Sequence, residues 1–292
     1  MKIGLFGIDF YANYGKYYRQ IIERLEKESV GIAIYEPLYA PLKELVKFKN
    51  KVELFSKYDD IKNNINVLFS IGGDGTILSS VTLVRDSGIP ILGINLGNLG
   101  FLSSTSKDEI DTTITDILHN NYILDKRDLI RLETNEKLFG DLNFALNEFT
   151  VHKKDNLSMV KIHVYINDIF LNTYWADGLI ISTPTGSTGY SLSCSGPIVA
   201  PGSRNFIITP ISTHNLTVRP VVLPNDSIIK IKVSGRNKEF MGGLDSRYEV
   251  FHSSSELILS RCRFKVNLIQ VASNNFFNTI REKLNWGIDK RN

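Results

Sequence analysis

The chain opens on two hydrophobic periods in alternation. Lys2–Gly7 is a short, mainly apolar run of strand length, and Tyr14–Glu28 places Tyr17, Ile21 and Leu25 at helical spacing. Val30–Tyr35 is apolar again, and the rhythm continues with a strand at Asn66–Ile71, a helix starting near Gly75, a strand at Pro90–Ile94 and a helix over Lys107–His119. Ser106, with Glu109 three residues on, forms a capping box for that last helix. Strands that alternate with helices predict an α/β domain on a parallel sheet, spanning residues 1–120.

Near Asn120 the period changes to two. Val160, Ile162, Val164 and Ile166 point one way and Lys161, His163 and Tyr165 the other, and Asn167-Asp168 supplies a two-residue turn into Ile169–Tyr174. Ile229, Ile231 and Val233 alternate with Lys230 and Lys232 in the same manner. Residues 121–272 are therefore expected to form a mostly antiparallel β domain. Helical spacing returns over Asn274–Trp286, where Phe277, Ile280 and Leu284 form an apolar stripe, so residues 273–292 are expected to make a helix that packs back on the first domain.

A length of 292 residues suits two medium domains, and 42% apolar with 22% charged residues is ordinary globular composition. The net charge of +3 comes without a basic block, which argues against a nucleic-acid partner. The apolar run before Asp9 is too brief for a signal peptide and no stretch reaches the length of a membrane span, so a cytoplasmic protein off the membrane is expected. Cys194 and Cys262 are the only thiols, outside disulfide or zinc spacing, and are assigned to packing. No cluster of carboxylates or histidines suggests a dedicated metal site.

Candidate chemistry concentrates in loops. Gly72-Gly73-Asp74-Gly75-Thr76 lies between a strand and a helix, where glycines let the backbone approach a ligand and a helix N-terminus presents unpaired N–H groups to a pyrophosphate. A carboxylate there repels phosphates unless it serves proton chemistry or a cation; the alternative is a tight turn in which Asp74 caps the helix. A second glycine-rich loop, Gly93 to Leu102, follows the next strand and contains Asn98 and Phe101. In a parallel sheet both loops emerge at strand carboxyl ends, where ligands collect. The chain lacks G-x-x-x-x-G-K-[ST], and no G-x-G-x-x-G follows the first strand, which excludes a P-loop nucleotidase and disfavours an ordinary dinucleotide oxidoreductase. In the β domain, Asp177 to Ser191 is dense in hydroxyls and glycines around Tyr190, suited to a purine or ribose or else a solvated loop, and Asn147-Glu148 offers an amide and a carboxylate for two ribose hydroxyls.

In this order the four stretches resemble the NAD kinase family, whose pattern runs G-G-D-G-T, N-x-G-x-L-G-F-L, N-E, then D-G-hydrophobic-x-x-S-T-P-T-G-S-T-A-Y. The match spans Gly72–Ser193 and continues more loosely over Ile207–Pro224. The resemblance implies transfer of the γ-phosphoryl group of ATP to the adenosine 2′-hydroxyl of NAD, with Mg²⁺ or another divalent cation arriving on the nucleotide, in a homodimer or homotetramer. It implies Asp74 as general base, Gly72, Gly73, Gly75 and Thr76 at the phosphates, Asn147 and Glu148 on ribose hydroxyls, and Asp177, Thr185, Thr188, Gly189, Tyr190 and Ser193 lining base pockets. Two positions depart from the pattern: Gly189 stands where the family usually has alanine, and Asp245-Ser246-Arg247 replaces a D-G-Q element. The rivals are a lipid or sugar kinase sharing the glycine loop, and a dinucleotide sensor without turnover. The expected G-T-x-N-D element of the lipid kinases is replaced here by Gly97-Asn98-Leu99-Gly100-Phe101.

Overall fold

A computed structural model describes residues 1–97, 100–154, 159–271 and 275–286. The chain divides into two compact units, residues 1–126 with 266–292 and residues 127–265.

In the first unit, β1 (Lys2–Phe6), β2 (Gly31–Tyr35), β3 (Glu53–Phe55), β4 (Val67–Ile71) and β5 (Ile91–Asn95) form a parallel sheet in the order β5-β4-β1-β2-β3. The order turns back between β1 and β4. Four of these strands are rich in β-branched and aromatic residues buried on both faces, as parallel strands covered by helices must be. Helix α1 (Gly15–Lys27) buries Tyr18, Ile21, Ile22 and Leu25, so Tyr18 rather than Tyr17 heads its core stripe. Helices α2 (Glu36–Leu45), α3 (Tyr58–Ile61), α4 (Asp74–Val84) and α5 (Ile110–Leu118) follow, with the capping box at Ser106 and Glu109 formed as the sequence predicts. No helix among the described residues is long and apolar enough to cross a membrane.

The second unit builds two antiparallel sheets. Between them in the chain come β6 (Thr105–Ser106), which pairs with β5, and β7 (Ile123–Thr134), which crosses into the second unit and pairs with β8 (Phe144–Ala145). One sheet runs in the order β14-β13-β12-β9-β16-β17, from β9 (Glu148–Lys153), β12 (Gly178–Ser182), β13 (Asn205–Ile211), β14 (Val221–Pro224), β16 (Glu239–Leu244) and β17 (Arg247–His252). The other contains β10 (Val160–Ile166), β11 (Ile169–Ala176), β15 (Ile229–Ser234) and β18 (Leu257–Gln270). Asn167 and Asp168 both take positive φ in the β10–β11 turn, the conformation that matches strand twist in a two-residue hairpin. Phe149, Val151, Leu179 and Phe206 of one sheet and Ile162, Val164, Ile231 and Leu257 of the other share one core.

The final helix differs from its predicted stripe. After α6 (Tyr190–Ser193), α7 (Phe276–Leu284) starts on an Asn275 cap and buries Thr279 and Ile280, while Phe277 is 63% exposed and Leu284 lies at the surface. The helix thus buries one turn, not a three-residue stripe, and its segment groups with the first unit. Cys262 is buried and Cys194 half-buried.

Candidate active site

The strand β4 delivers its carboxyl end to Gly72, whose N–H is held by the Ile94 carbonyl of the neighbouring strand at 2.9 Å. Gly73 then caps α4 with its backbone, and Asp74 is the first helical residue. Its carboxylate makes no cap. Instead Oδ2 accepts the N–H of Phe101 at 2.8 Å and Oδ1 that of Leu102 at 3.2 Å, so one acid ties the first glycine loop to the second. That approach requires glycine at 100, because a Cβ there would stand 1.8 Å from Asp74 Oδ1. Gly73 and Gly75 face open space, leaving the first turn of α4 accessible beside the half-exposed Asp74 and Thr76. Asn98 lies outside the described residues.

In the second unit, Asn147 and Glu148 lie where β8 runs into β9, and three elements grip that strip. Asp245, at φ +53°, accepts the N–H groups of Leu146 at 2.9 Å, Asn147 at 2.8 Å and Glu148 at 3.2 Å. Arg247 donates to the carbonyls of Leu142 and Phe144. Thr183 donates its hydroxyl to Leu146 O at 2.6 Å and its N–H to Asn147 O at 2.8 Å. The next turn presses so close that a Cβ on Gly186 would lie 2.2 Å from that same carbonyl oxygen, so only glycine fits.

The strip is thus rigid at its backbone while two side-chain oxygens, Asn147 Oδ1 and Glu148 Oε2, are buried without a protein partner. Burial pushes the Glu148 carboxyl up to about 8, with the neighbouring Asp245 charge adding to it. Burial also raises Asp245, against the pull of its three N–H donors and Arg247. The donors converge on Asp245, so we place the negative charge there and the proton on Glu148 near neutral pH.

Of the other predicted residues of this unit, Gly189 and Tyr190 are the ones tied to this pair. Gly189 borders it, since a Cβ would sit 3.4 Å from both Glu148 Oε2 and Asn147 Nδ2. Tyr190 stacks on His152 with centroids 5.8 Å apart and planes 14° from parallel. Its hydroxyl is pushed up by burial first, then by Cys194, Tyr248, Glu148 and Asp177 around it. Thr185 is buried and accepts from Arg127 at 3.1 Å, and Thr188 donates to the Thr185 carbonyl at 3.2 Å. Asp177 turns to Lys153, 2.6 Å away, and Ser193 is exposed at the end of α6. Gly100, Gly186, Arg127 and His152 were not among the predicted site residues, and Asp245 was noted only as a departure from the family pattern with no contact assigned to it.

Residues 19–122 match the model of the ATP-NAD kinase N-terminal domain, and residues 146–271 that of the ATP-NAD kinase C-terminal domain. The chain belongs to the NAD kinase family. It is 44% identical over 294 residues to the NAD kinase of Flavobacterium psychrophilum and 43% identical over 300 residues to that of Cytophaga hutchinsonii, each covering the whole of both chains. The fold is likewise that of NAD kinases: the crystal structure of yeast NADH kinase complexed with NADH superposes at a TM-score of 0.88 over 99% of this chain and 88% of that one, at 22% identity. An NAD kinase from Archaeoglobus fulgidus in complex with ATP gives 0.74 over 98% of this chain and 99% of that one, at 21% identity.

Proposed function

We propose that this protein transfers the γ-phosphoryl group of ATP to the adenosine 2′-hydroxyl of NAD, giving NADP and ADP. The carrying observation is Asp74: a carboxylate that does not cap its helix, fixed by two N–H groups beside an open helix N-terminus, where phosphates are favoured and a neighbouring carboxylate would only repel them unless it serves the chemistry.

In this reading Asp74 takes the proton of the 2′-hydroxyl as its oxygen bonds to the γ-phosphorus and the bond to the β–γ bridging oxygen breaks. A sugar hydroxyl is far too weak an acid to ionise unaided, and a positioned base contributes on the order of 10²–10⁴-fold. Gly73 and Gly75 present backbone donors to the phosphates and Thr76 its hydroxyl, while Gly72, whose N–H is taken by the Ile94 carbonyl, shapes the turn that brings them close. The substrate is written as MgATP; the cation offsets charge on the phosphate oxygens, and among the described residues no group of three or more His, Cys, Asp or Glu forms a separate cage. Asn147 accepts from one ribose hydroxyl, and protonated Glu148 donates to an oxygen of the dinucleotide, which completes two otherwise partnerless buried atoms. Gly189, Tyr190, Thr185, Thr188, Asp177 and Ser193 are assigned to the base pockets.

We read the protein as cytoplasmic and as a homodimer or homotetramer; the exposed Ile169, Phe170 and Trp175 on the edge strand β11 support the assembly, and sedimentation would test it.

Incubation with ATP, Mg²⁺ and NAD, with NADP measured by a dehydrogenase that uses only NADP, tests the activity. Binding of NAD without product would turn the reading to a sensor, and turnover of a lipid or sugar with NAD untouched would turn it to the related kinases.

A further inference from the structure

Strand β9 is flanked by β12 and β16, so its side chains alternate between the two faces of the sheet. Phe149 and Val151 enter the core that the two sheets share, which leaves Glu148, Thr150 and His152 in a row on the opposite face. His152 stands four residues beyond Glu148, about 13 Å along the strand.

The surroundings of His152 hold its ring by a face rather than by a nitrogen. Its cross-strand neighbours are Gly178 and Met241. Gly178 leaves the room, since a Cβ there would lie 3.2 Å from Nδ1 of His152. The rings of His119, His163 and His252 are hydrogen-bonded, to Thr115 O, to the hydroxyls of Thr173 and Ser234, and to that of Ser254. Among the described residues the His152 ring has no such bond, and its contact is the near-parallel stack on Tyr190. Burial holds the imidazole below its ordinary range, against the pull of Asp177, so the ring in the stack is neutral near pH 7.

Tyr190 has two faces, and His152 takes one of them. The tyrosine follows Gly189, which borders Asn147 and Glu148, and its hydroxyl feels the Glu148 charge, so it stands beside the pair. It is still 38% exposed, which leaves ring surface for a ligand to cover. A half-exposed tyrosine without backing samples several staggered rotamers, and a ligand that lands on it must order it first. We infer that His152 is a positioning residue for the dinucleotide: it backs Tyr190, so that the opposite face of the tyrosine is held ready for a flat heterocycle of NAD. The inference rests on the kinase reading for the ligand's identity.

The test is His152→Leu, which keeps apolar bulk on the strand and loses the flat face, beside His152→Phe, which restores the face without the nitrogens. The strength of an aromatic pair corresponds to about a three- to tenfold change in affinity. In the folded Leu variant the KM for NAD, and the dissociation constant of NAD by equilibrium dialysis, should rise by about that factor. The kcat and the KM for ATP should stay within about twofold, and the Phe variant should bind NAD within about twofold of wild type. In a Tyr190→Ala background the same Leu substitution should change NAD binding by less than about twofold, because His152 acts through the tyrosine. Unchanged NAD binding in the Leu variant, no rescue by Phe, or a full effect without Tyr190 would overturn the role. Should the Leu variant melt early, His152→Gln, which also lacks a ring, takes its place. Should the wild type make no NADP, the kinase reading fails, while dialysis with NAD still decides the role of His152.

Discussion

The Cβ position of Gly100 falls 1.8 Å from Oδ1 of Asp74, so the second glycine loop is shaped around the carboxylate of the first. The obstructing atom is not the loose end of a long side chain but a carboxylate fixed by two N–H groups. Gly100→Ala must therefore displace Asp74 or the 100–102 backbone, and misplacing a reacting group by about an ångström costs on the order of 10²-fold in rate. The variant should lose about that factor in kcat/KM with a melting temperature within a few degrees of wild type. Retention of activity within about threefold would remove Asp74 from the chemistry.

Asp74→Asn tests the base itself. The amide keeps the size of the side chain, yet its nitrogen must face one of the two N–H donors, so one bond is lost along with the proton acceptor. Turnover should drop by about two orders of magnitude or more with the KM for NAD changed only a few-fold. A normal kcat in steady-state NADP formation would assign the proton to another group.

The chemistry-bearing loops were legible because their reasons are local. Glycines flanking Asp74, and a turn at Asn167-Asp168, announce themselves within a few residues of chain. Residues 36–61 hid a helix, a short strand and a second helix: α2 carries Pro37 at its start and Pro41 inside, which blurs the helical pattern, and β3 has only three residues. The stripe expected on α7 failed because spacing says which residues share a face, not whether tertiary structure covers it. Asp245 was visible only as a departure from a family pattern; its partners, Leu146 to Glu148, lie about a hundred residues earlier, and no periodicity links them.

Asp245→Asn follows from that cradle. Asparagine tolerates the left-handed backbone at φ +53°, so the main chain need not move. The amide cannot accept on both ends, however, and a buried N–H among residues 146–148 loses its partner, at about 1–3 kcal/mol. The variant should melt lower, and because the strip carrying Asn147 and Glu148 loosens, the KM for NAD should rise several-fold with ADP binding unchanged. A variant that melts lower with the KM for NAD unmoved would leave Asp245 a purely structural residue.

Glu148 gives the fold a pH dependence of definite sign. Its carboxyl stands at about 8 in the fold against 4.5 ordinarily, through burial and then the Asp245 charge. Between those values the native chain holds a proton that the unfolded chain has released, so stability declines as pH rises across the window and the contribution is whole only below it. Glu148→Gln stays neutral throughout and keeps Asp245, so the unfolding free energy of the variant relative to wild type should move in the variant's favour from pH 5 to pH 8.5. Urea titrations at steps across that range measure the difference, and parallel pH profiles would show that Glu148 is ionised in the native protein, which would also withdraw its role as a proton donor to the dinucleotide.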